Sequence, residues 1–406
     1  MASQSENLLT VVDVGSAKTC VIVAEVNDYA LRYRGHSICD SRGMRKGVIA
    51  DLDKAVACIK RAVEEAEDVA QAPVEHALVG VAGAHIRGVN SHGGISLGVR
   101  SREISREDVR QAVEKARTIA MPEDREPLHL LPQEFIVDGQ GGVHDPAGLM
   151  ARKLEARVHV VTAGTTATQN VVTAANRAGV HVDDTVFEPL ACADSVLQSD
   201  ERELGVCLVD IGAGSTDVIV YFEGVVIHTG AIPIGGDHFT NDVAVGFRTP
   251  ISDAENIKKM FGCAIVTRIP EANEIEVPTV GERPSRMMPQ RMLGEVLEPR
   301  ARELMELLRD HLRQAGVYEL LGAGLVLTGG GSRLSGLLEV ADDILRRPVR
   351  QGYPVPIAKL PSNLLEPEFA TAIGMVLYGH RARQVRMNID RGLGAKLKAL
   401  FARQNA

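Results

Sequence analysis

Two short stretches of the chain combine an aspartate with glycine and hydroxylated residues in a pattern suited to binding phosphate. The first is Val11–Val26 and the second is Leu208–Gly224. Each is typical of an apolar strand, an Asp-x-Gly turn rich in small residues, and a second β-branched strand. The two aspartates, Asp13 and Asp210, stand 197 residues apart. This spacing predicts two related halves that each begin with a hairpin.

The residue types in these turns define the chemistry that they can perform. Small residues let backbone N–H groups surround an anion. Asp13 and Asp210 would repel phosphate directly, but they are suited to holding the waters of a hydrated Mg²⁺. One such hairpin alone would be interpreted as an ordinary tight turn, whereas two copies favour a clamp for a polyphosphate and its metal. The turn residues predicted to contribute are Gly15, Ser16, Lys18 and Thr19 in the first copy and Gly212, Gly214, Ser215 and Thr216 in the second.

A third glycine cluster follows another apolar strand, in the segment Leu325–Leu337. Gly329, Gly330 and Gly331 would give a flat floor on which a purine lies against backbone. A glycine triplet alone is weak evidence, but after two phosphate hairpins it completes a nucleotide site. We include Arg333, which follows the triplet, in the predicted site.

Composition limits the class of protein. The chain has 406 residues, of which 45% are hydrophobic, which predicts two or more domains. Its net charge of -8, low aromatic content and lack of tryptophan argue against nucleic-acid binding. The six cysteines form no Cys-x-x-Cys pair and are expected to be buried in a reducing compartment. We expect neither a signal peptide nor a membrane-spanning segment.

Local patterns place three helices. Apolar residues at helical spacing predict a helix over Leu52–Ala70. Ser105 and Asp108 form a capping pattern before a second, amphipathic helix. Ser252 is the predicted N-cap of a third helix, with Glu255 at its third position.

The order of the two hairpins and the Thr-Gly-Gly-Gly turn resembles the nucleotide-binding set of the actin, Hsp70 and hexokinase superfamily. Four longer stretches resemble the bacterial cell-division FtsA family: Ser41–Asp53, His129–Leu149, Asp200–Asp217 and Val280–Arg286. The resemblance covers essentially the whole chain. It implies ATP and Mg²⁺ as cofactors.

The resemblance also implies an α/β fold. Two actin-like domains with mixed sheets would carry an inserted small α+β subdomain in the first domain and a C-terminal amphipathic helix. The predicted boundaries are residues 8–86 and 162–203 for the first core, 87–161 for the inserted subdomain, 204–248 and 314–383 for the second core, 249–313 for a second insertion, 384–391 for a linker, and 392–406 for the membrane-targeting helix.

Further site residues follow from the resemblance. Glu188 stands before a proline, where the superfamily places a carboxylate near the γ-phosphate, and it would orient the attacking water. The alternative is a simple helix start. Glu255 and Lys258 would reach the ribose and base, and Lys259 fits this role and a solvated helix face equally well.

The second insertion is rich in arginine, which recognises carboxylates with paired hydrogen bonds. The FtsA resemblance implies that this region binds the partly acidic C-terminal peptide of the tubulin-like protein FtsZ. Arg286 and Arg300 are the predicted contacts. A solvated basic loop is the alternative.

The C-terminal tail is basic and amphipathic. Residues 379–406 carry seven Lys or Arg against one Asp, although the whole chain is acidic. A stripe of apolar residues with flanking cations predicts a helix that lies in a membrane interface, and a helix docked on its own domain is the alternative. The residues of this predicted anchor are Leu393, Lys396, Leu397, Lys398, Leu400 and Phe401.

The FtsA resemblance thus implies an ATP-binding cell-division protein that anchors the FtsZ ring to the inner face of the cytoplasmic membrane. It would assemble into filaments, contact anionic phospholipid and help to recruit later division proteins of the membrane. At most it would be a slow ATPase. The alternatives are a related pilus-assembly adaptor, which would not need the tail, and a phosphotransferase, for which we locate no catalytic Asp or sugar pocket.

Overall fold

The computed structural model describes residues 7–27, 30–117, 121–281 and 283–384. In the first half the strands are β1 (Leu8–Val14), β2 (Lys18–Asn27), β3 (Ala30–Asp40), β4 (Met44–Arg45), β5 (Val48–Ile49), β6 (His76–Val81), β7 (Arg87–Ser96), β8 (Arg102–Glu103), β9 (Arg125–Val137), β10 (Gln140–Val143), β11 (Met150–Ala151), β12 (Lys153–Gly164) and β13 (His181–Phe187). The helices are α1 (Leu52–Ala70), α2 (Arg106–Arg117), α3 (Thr165–Arg177), α4 (Glu188–Val196) and α5 (Ser199–Leu204).

The second half continues with β14 (Val206–Ile211), β15 (Thr216–Phe222), β16 (Val225–Ile232), β17 (Glu274–Val277), β18 (Arg286–Pro289), β19 (Gly324–Thr328) and β20 (Val349–Gln351). Its helices are α6 (Gly236–Phe247), α7 (Ile251–Phe261), α8 (Gln290–Gln314) and α9 (Leu337–Leu345), and residues 370–384 form α10. Short 3₁₀ helices include Gly330–Arg333 and Pro367–Phe369.

The two halves repeat one sheet. The first has the order β13-β6-β1-β2-β3 and the second β16-β15-β14-β19-β20, so an antiparallel hairpin continues into parallel strands in both. The hairpin register is also the same, because Val14 pairs with Thr19 and Ile211 pairs with Thr216. The predicted repeat of two hairpins is therefore confirmed.

The predicted helix over Leu52–Ala70 is confirmed with the same bounds. Its buried face is mostly alanine, with Ile59 and Val63, and it packs on the first sheet. The capping pattern of α2 is also confirmed: the Asp108 N–H donates to Ser105 Oγ at 3.2 Å, and the Ser105 N–H donates to the Asp108 carboxylate at 2.8 Å. Both ends of this capping pair are therefore satisfied within one turn.

An inserted subdomain lies between β6 and α3. Its four-stranded sheet has the order β10-β9-β12-β7, and α2 packs against β7 and β12. His159 of β12 joins this sheet to the second half, because its ring nitrogens lie 2.6 Å from Asn90 Oδ1 and 2.9 Å from Thr229 Oγ1. Burial, with the charge of His228 next in effect, lowers the pKa of His159 to about 4. The contact is thus made by a neutral imidazole.

Helices α4 and α10 cross between the two halves. Residues of α4, among them Cys192 and Val196, pack with the second sheet, whereas Ile373 and Val376 of α10 pack with the first. The Ser195 hydroxyl donates to the Ala370 carbonyl at 2.7 Å. Helices α4 and α10 therefore both contribute to the packing between the two halves.

The third helix prediction is wrong at its start. Helix α7 begins at Ile251 with Pro250 as N-cap, so Ser252 lies inside the first turn. The fixed φ of proline and its missing N–H suit the entry of a helix. The helix therefore begins one residue before Ser252. All six cysteines are buried and free, as expected. Among the described residues, no helix is both long and apolar enough to cross a bilayer.

Candidate functional site

The two hairpin turns face one another across a cleft. The Gly15 N–H donates to the Lys18 carbonyl at 3.0 Å, and the Gly212 N–H donates to the Ser215 carbonyl at 2.9 Å, so the turns are closed in the same way. A Cβ at Gly214 would lie 2.6 Å from Ser16 Oγ, which leaves room only for glycine. The sequence repeat therefore becomes a pair of apposed turns, with Gly214 of the second packed against the Ser16 side chain of the first.

Four carboxyl groups converge beneath these turns. Asp13 and Asp210 are the next-to-last residues of strands β1 and β14, Asp217 lies on β15, and Glu188 begins α4. Asp217 joins the two halves, because its carboxylate accepts a hydrogen bond of 2.9 Å from the Gly83 N–H of the first half. The sequence analysis predicted three of these acids and missed Asp217.

The surroundings of these acids oppose their ionisation. Burial raises the pKa of Asp13 to about 6 and that of Asp217 to about 7, with the charge of Asp210 adding to both. Burial also raises the pKa of Asp210, although the Thr371 hydroxyl donates to it at 2.7 Å and opposes the shift. For Glu188, burial and the charges of the three aspartates raise the pKa well above its usual value. Because like charges are packed closely in a cleft with little water, a bound cation would offset their repulsion.

Lys18 is the cation that the first turn provides. Burial lowers the pKa of Lys18, and its ammonium group lies 3.9 Å from Glu368 and 3.7 Å from the centre of the Phe369 ring. Arg333 Nη1 donates to the other oxygen of Glu368 at 3.1 Å. Glu368 therefore links the first hairpin to the glycine triplet, which sequence reasoning did not foresee.

The glycine triplet lies directly against the second hairpin. Gly329 has φ of +80°, and a Cβ there would overlap the Asp210 carboxylate and the Ile211 carbonyl. Gly330 is open, since among the described residues, apart from its chain neighbours, only Glu368 Cβ would lie within 4 Å of a Cβ there, at 3.7 Å. Gly331 packs on Ile211. Gly329 is thus a structural requirement, whereas Gly330 presents bare backbone to the cleft.

Glu255 and Lys258 of α7 form a polar cluster next to the second turn. Lys258 Nζ lies 2.6 Å from Glu255 Oε2 and donates to the Gly236 carbonyl at 3.0 Å. The Gly236 N–H in turn donates to the Gly212 carbonyl at 2.9 Å. Burial opposes ionisation of Glu255, but Lys258 and a hydrogen bond from Thr240 lower its pKa. Lys259 pairs with Glu255 at 3.2 Å from an exposed position.

Two predicted hydroxyls do not face the cleft. Thr19 and Thr216 are fully buried, and their hydroxyls bond to Ser41 at 2.8 Å and to the Ile234 carbonyl at 2.7 Å. They occupy equivalent strand positions and serve the fold. Ser16 accepts the Gly47 N–H at 3.1 Å, and Ser215 donates to Asp217 at 2.9 Å.

The two predicted partner-binding arginines differ in availability. Arg286 lies on the exposed strand β18, where one guanidinium nitrogen donates to the Phe247 carbonyl. Arg300 is engaged within the protein: it reaches Asp242 through two nitrogens at 2.6 and 3.1 Å and also contacts Glu303. We therefore assign Arg300 to the joint between α8 and α6, and not to a contact surface.

The predicted linker and membrane helix begin where the described residues end. Residues 385–406, which include the whole apolar stripe of the tail, lie outside the described residues.

Comparison with known proteins identifies the family. A family model described as "Cell division protein FtsA" matches residues 207–374, and one described as "SHS2 domain inserted in FTSA" matches residues 83–162. The FtsA protein of Pseudomonas aeruginosa is 42% identical over 96% of this chain and 94% of its own length. The chain belongs to the FtsA family of cell division proteins. Other FtsA relatives are those of Escherichia coli K12, 37% identical over 97% of this chain and 96% of their own, and Bacillus subtilis, 32% identical over 97% and 87%.

Solved structures confirm the predicted actin-like fold. A PilM-PilN type IV pilus biogenesis complex superposes with a TM-score of 0.62 at 17% identity, covering 92% of this chain and 98% of the other. MreB5 of Spiroplasma citri bound to ADP gives 0.55 at 14% identity, with 95% and 98% covered. The segment that the SHS2 model matches, residues 83–162, contains the inserted subdomain of β7 to β12 except for the last two residues of β12.

The carboxyl cluster predicts a pH-dependent gain in stability from Asp217→Asn. The pKa of Asp217 is raised in the folded protein, so its destabilising effect is fully present above about pH 7 and vanishes as the pH falls towards 3.8. Asparagine keeps an acceptor for the Gly83 N–H without the charge. We expect the variant to raise the free energy of unfolding by about 2–4 kcal/mol at pH 8, and by progressively less towards pH 4.

Urea unfolding at several pH values measures this difference. Asp342→Asn, a change at an exposed acid of α9, is the matched control and should leave the free energy of unfolding within about 0.5 kcal/mol. A variant that is less stable than the parent at pH 8 would show instead that the hydrogen bonds of Asp217 outweigh its charge.

Proposed function

We propose that this FtsA-family chain is an ATP-binding adaptor that assembles into filaments and joins the FtsZ ring to the inner face of the cytoplasmic membrane. The observation that carries the nucleotide part is the meeting of two equivalent Asp-x-Gly turns above buried carboxyl groups. Sequence identity favours the cell-division role over a pilus-assembly adaptor. The FtsA relatives are 32–42% identical, whereas the PilM-PilN structure is 17% identical.

The residues of the cleft fit a metal-bound polyphosphate. Asp13 and Asp210 would hold the waters of Mg²⁺, a hard cation that takes oxygen ligands. The bound cation would supply the positive charge that the carboxyl cluster lacks. The N–H groups of the two turns and the ammonium of Lys18 would face phosphate oxygens. Gly330 would lie under the base, with Glu255 and Lys258 beside the sugar.

Glu188 is the candidate for orienting a hydrolytic water. Burial and the charges of three aspartates raise the pKa of Glu188 and favour its protonated form, so a bound cation that offsets those charges would favour the carboxylate, the form that can accept a proton. Such dependence suits a slow ATPase whose nucleotide state is retained for long periods, and not a metabolic enzyme.

ATP binding is tested by Gly330→Asp. The open space at Gly330 accepts the side chain, so the fold should persist while a carboxylate enters the proposed base site. We expect ATP affinity in Mg²⁺ to fall at least tenfold by isothermal titration. Ser101→Asp, which adds a carboxylate at an exposed position of the inserted subdomain with ordinary backbone φ, is the control. Equal affinity for Gly330→Asp and the parent would remove this turn from the site.

The proposed contact surface for FtsZ lies around β18. Arg286 reaches the Phe247 carbonyl. Met287, which follows Arg286, is 59% exposed, and Val245, two residues before Phe247, is 69% exposed. Methionine adapts to varied partners, and arginine binds carboxylates. An acidic peptide with apolar residues, such as the FtsZ C-terminus, would match this combination.

Substitution of Arg286 tests this surface without breaking the Arg300 joint. Arg286→Glu and Met287→Glu should each weaken binding of the FtsZ C-terminal peptide at least fivefold in fluorescence anisotropy, through charge repulsion and through loss of apolar contact. Arg110→Glu, at an exposed position of α2, is the matched charge reversal. If the control weakens binding as much as Arg286→Glu, the effect is one of net charge and the surface lies elsewhere.

The membrane part of the proposal rests on the sequence of the tail. Four apolar side chains at helical spacing with flanking lysines would lie in the interface while the cations meet anionic headgroups, each worth about 1 kcal/mol. One such short tail would bind weakly, because ordering it consumes much of the gain. A filament would present many tails together and bind through avidity. That membrane-bound filament is the platform on which later division proteins would assemble.

Loss of the tail should release the protein from lipid. Deletion of residues 392–406, or Leu397→Glu with Phe401→Glu, is expected to remove most protein from the pellet when it is sedimented with anionic vesicles. The matched control, Leu397→Met with Phe401→Leu, keeps the apolar stripe and should still pellet. A truncated protein that pellets with lipid as the parent does would place the anchor in another segment.

A further inference from the structure

Three metal-ligating side chains meet on the edge of the first sheet, away from the cleft. His76 is the first residue of β6 and His181 the first residue of β13, and these two residues are direct partners in the parallel ladder. Asp183 follows His181 by two residues. All three side chains are exposed.

Their ligand atoms point to one place. Nδ1 of His76 lies 2.7 Å from Asp183 Oδ1, and Nδ1 of His181 lies 3.6 Å from the same oxygen. The two imidazole rings have centroids 4.9 Å apart, and the candidate ligand atoms of all three residues lie within 4.8 Å of one another. Atoms bound to one Zn²⁺ at about 2.0–2.2 Å are at most about 4.4 Å apart. Small side-chain rotations therefore suffice to bring all three onto one ion.

Strand geometry holds this arrangement in place. Residues two apart on a strand share a face, and paired residues of neighbouring strands lie side by side. The ladder between β13 and β6 shifts register between Val182 and Asp184, so Asp183 has no partner on β6. Such a bulge re-aims a side chain, and here the freed residue is the one that reaches both histidines.

We propose that His76, His181 and Asp183 bind a divalent transition-metal ion of the Zn²⁺ class. Imidazole nitrogen with carboxylate oxygen suits Zn²⁺ and related ions, whereas Mg²⁺ prefers oxygen alone. Three protein ligands leave a position for water. The neighbouring acids in sequence, Glu75 and Asp184, are exposed and make this edge electronegative.

The ion would fasten the edge strand to the sheet interior. Strand β13 is the outermost strand of its sheet and runs directly into Glu188. His181 and Glu188 are seven residues apart, or about 23 Å along an extended strand, so this site is separate from the carboxyl cluster. A ligand that binds the folded state alone stabilises it.

Zn²⁺ titration of the full chain tests the proposal. Calorimetry is performed with excess Mg²⁺, which competes for the carboxyl cluster, using the parent and the variants His76→Ala, His181→Ala and Asp183→Asn. We expect the parent to bind one Zn²⁺ at this edge and each variant to bind it at least tenfold more weakly. His92→Ala and His144→Ala, at exposed histidines of the inserted subdomain, are the matched controls.

Thermal unfolding gives a second readout. Zn²⁺ should raise the unfolding temperature of the parent and of both controls, and EDTA should reverse the rise, while the three site variants should show no shift. A parent that binds no Zn²⁺ would overturn the proposal. So would equal loss of Zn²⁺ affinity in His92→Ala and His76→Ala.

Discussion

The close packing of four carboxyl groups in one cleft is the constraint on which the remaining structure depends. Asp13, Asp210, Asp217 and Glu188 come from two strand ends, a neighbouring strand and a helix start. Holding them together opposes folding when no cation is near, because burial and mutual repulsion both favour the protonated forms. The same cluster gives the cleft between the two halves a strong preference for positively charged ligands.

The two halves are equivalent in backbone and different in charge. With the repeat offset of 197 residues, Lys18 corresponds to Ser215 and Cys20 corresponds to Asp217. The first half therefore places a cation at its turn, and the second places an additional carboxylate on its strand. The two hairpins have matching registers, so these unlike side chains stand at equivalent positions of the repeat. The repeated hairpin sets the geometry of the cleft, and the residue differences at these two positions set the distribution of its charge.

The sequence pattern correctly predicted those features that depend on interactions between residues close together in the chain. The Asp-x-Gly turns, the helix over Leu52–Ala70 and the Ser105–Asp108 cap depend on residues a few positions apart, and all are present. Asp217 was missed because its partner, the Gly83 N–H, lies 134 residues away, and the repeat offers cysteine at the equivalent position. An acid within an otherwise apolar strand was the available signal. The prediction of Ser252 as an N-cap was wrong because the helix already begins after Pro250. The ion pair of Arg300 was not predicted because its partner, Asp242, lies on another helix.

The hydrogen bond that Thr371 donates to Asp210 joins the first turn of α10 to the cleft. This hydroxyl lies at the base of the helix, and the described part of α10 continues to residue 384, about 21 Å away at 1.5 Å per residue. Helix α10 therefore runs from the cleft acids towards the point where the basic C-terminal segment begins. A tilt of about 10° at its base would displace its far end by about 4 Å. Rearrangement around one carboxylate would thereby be magnified at the point from which the basic C-terminal segment departs.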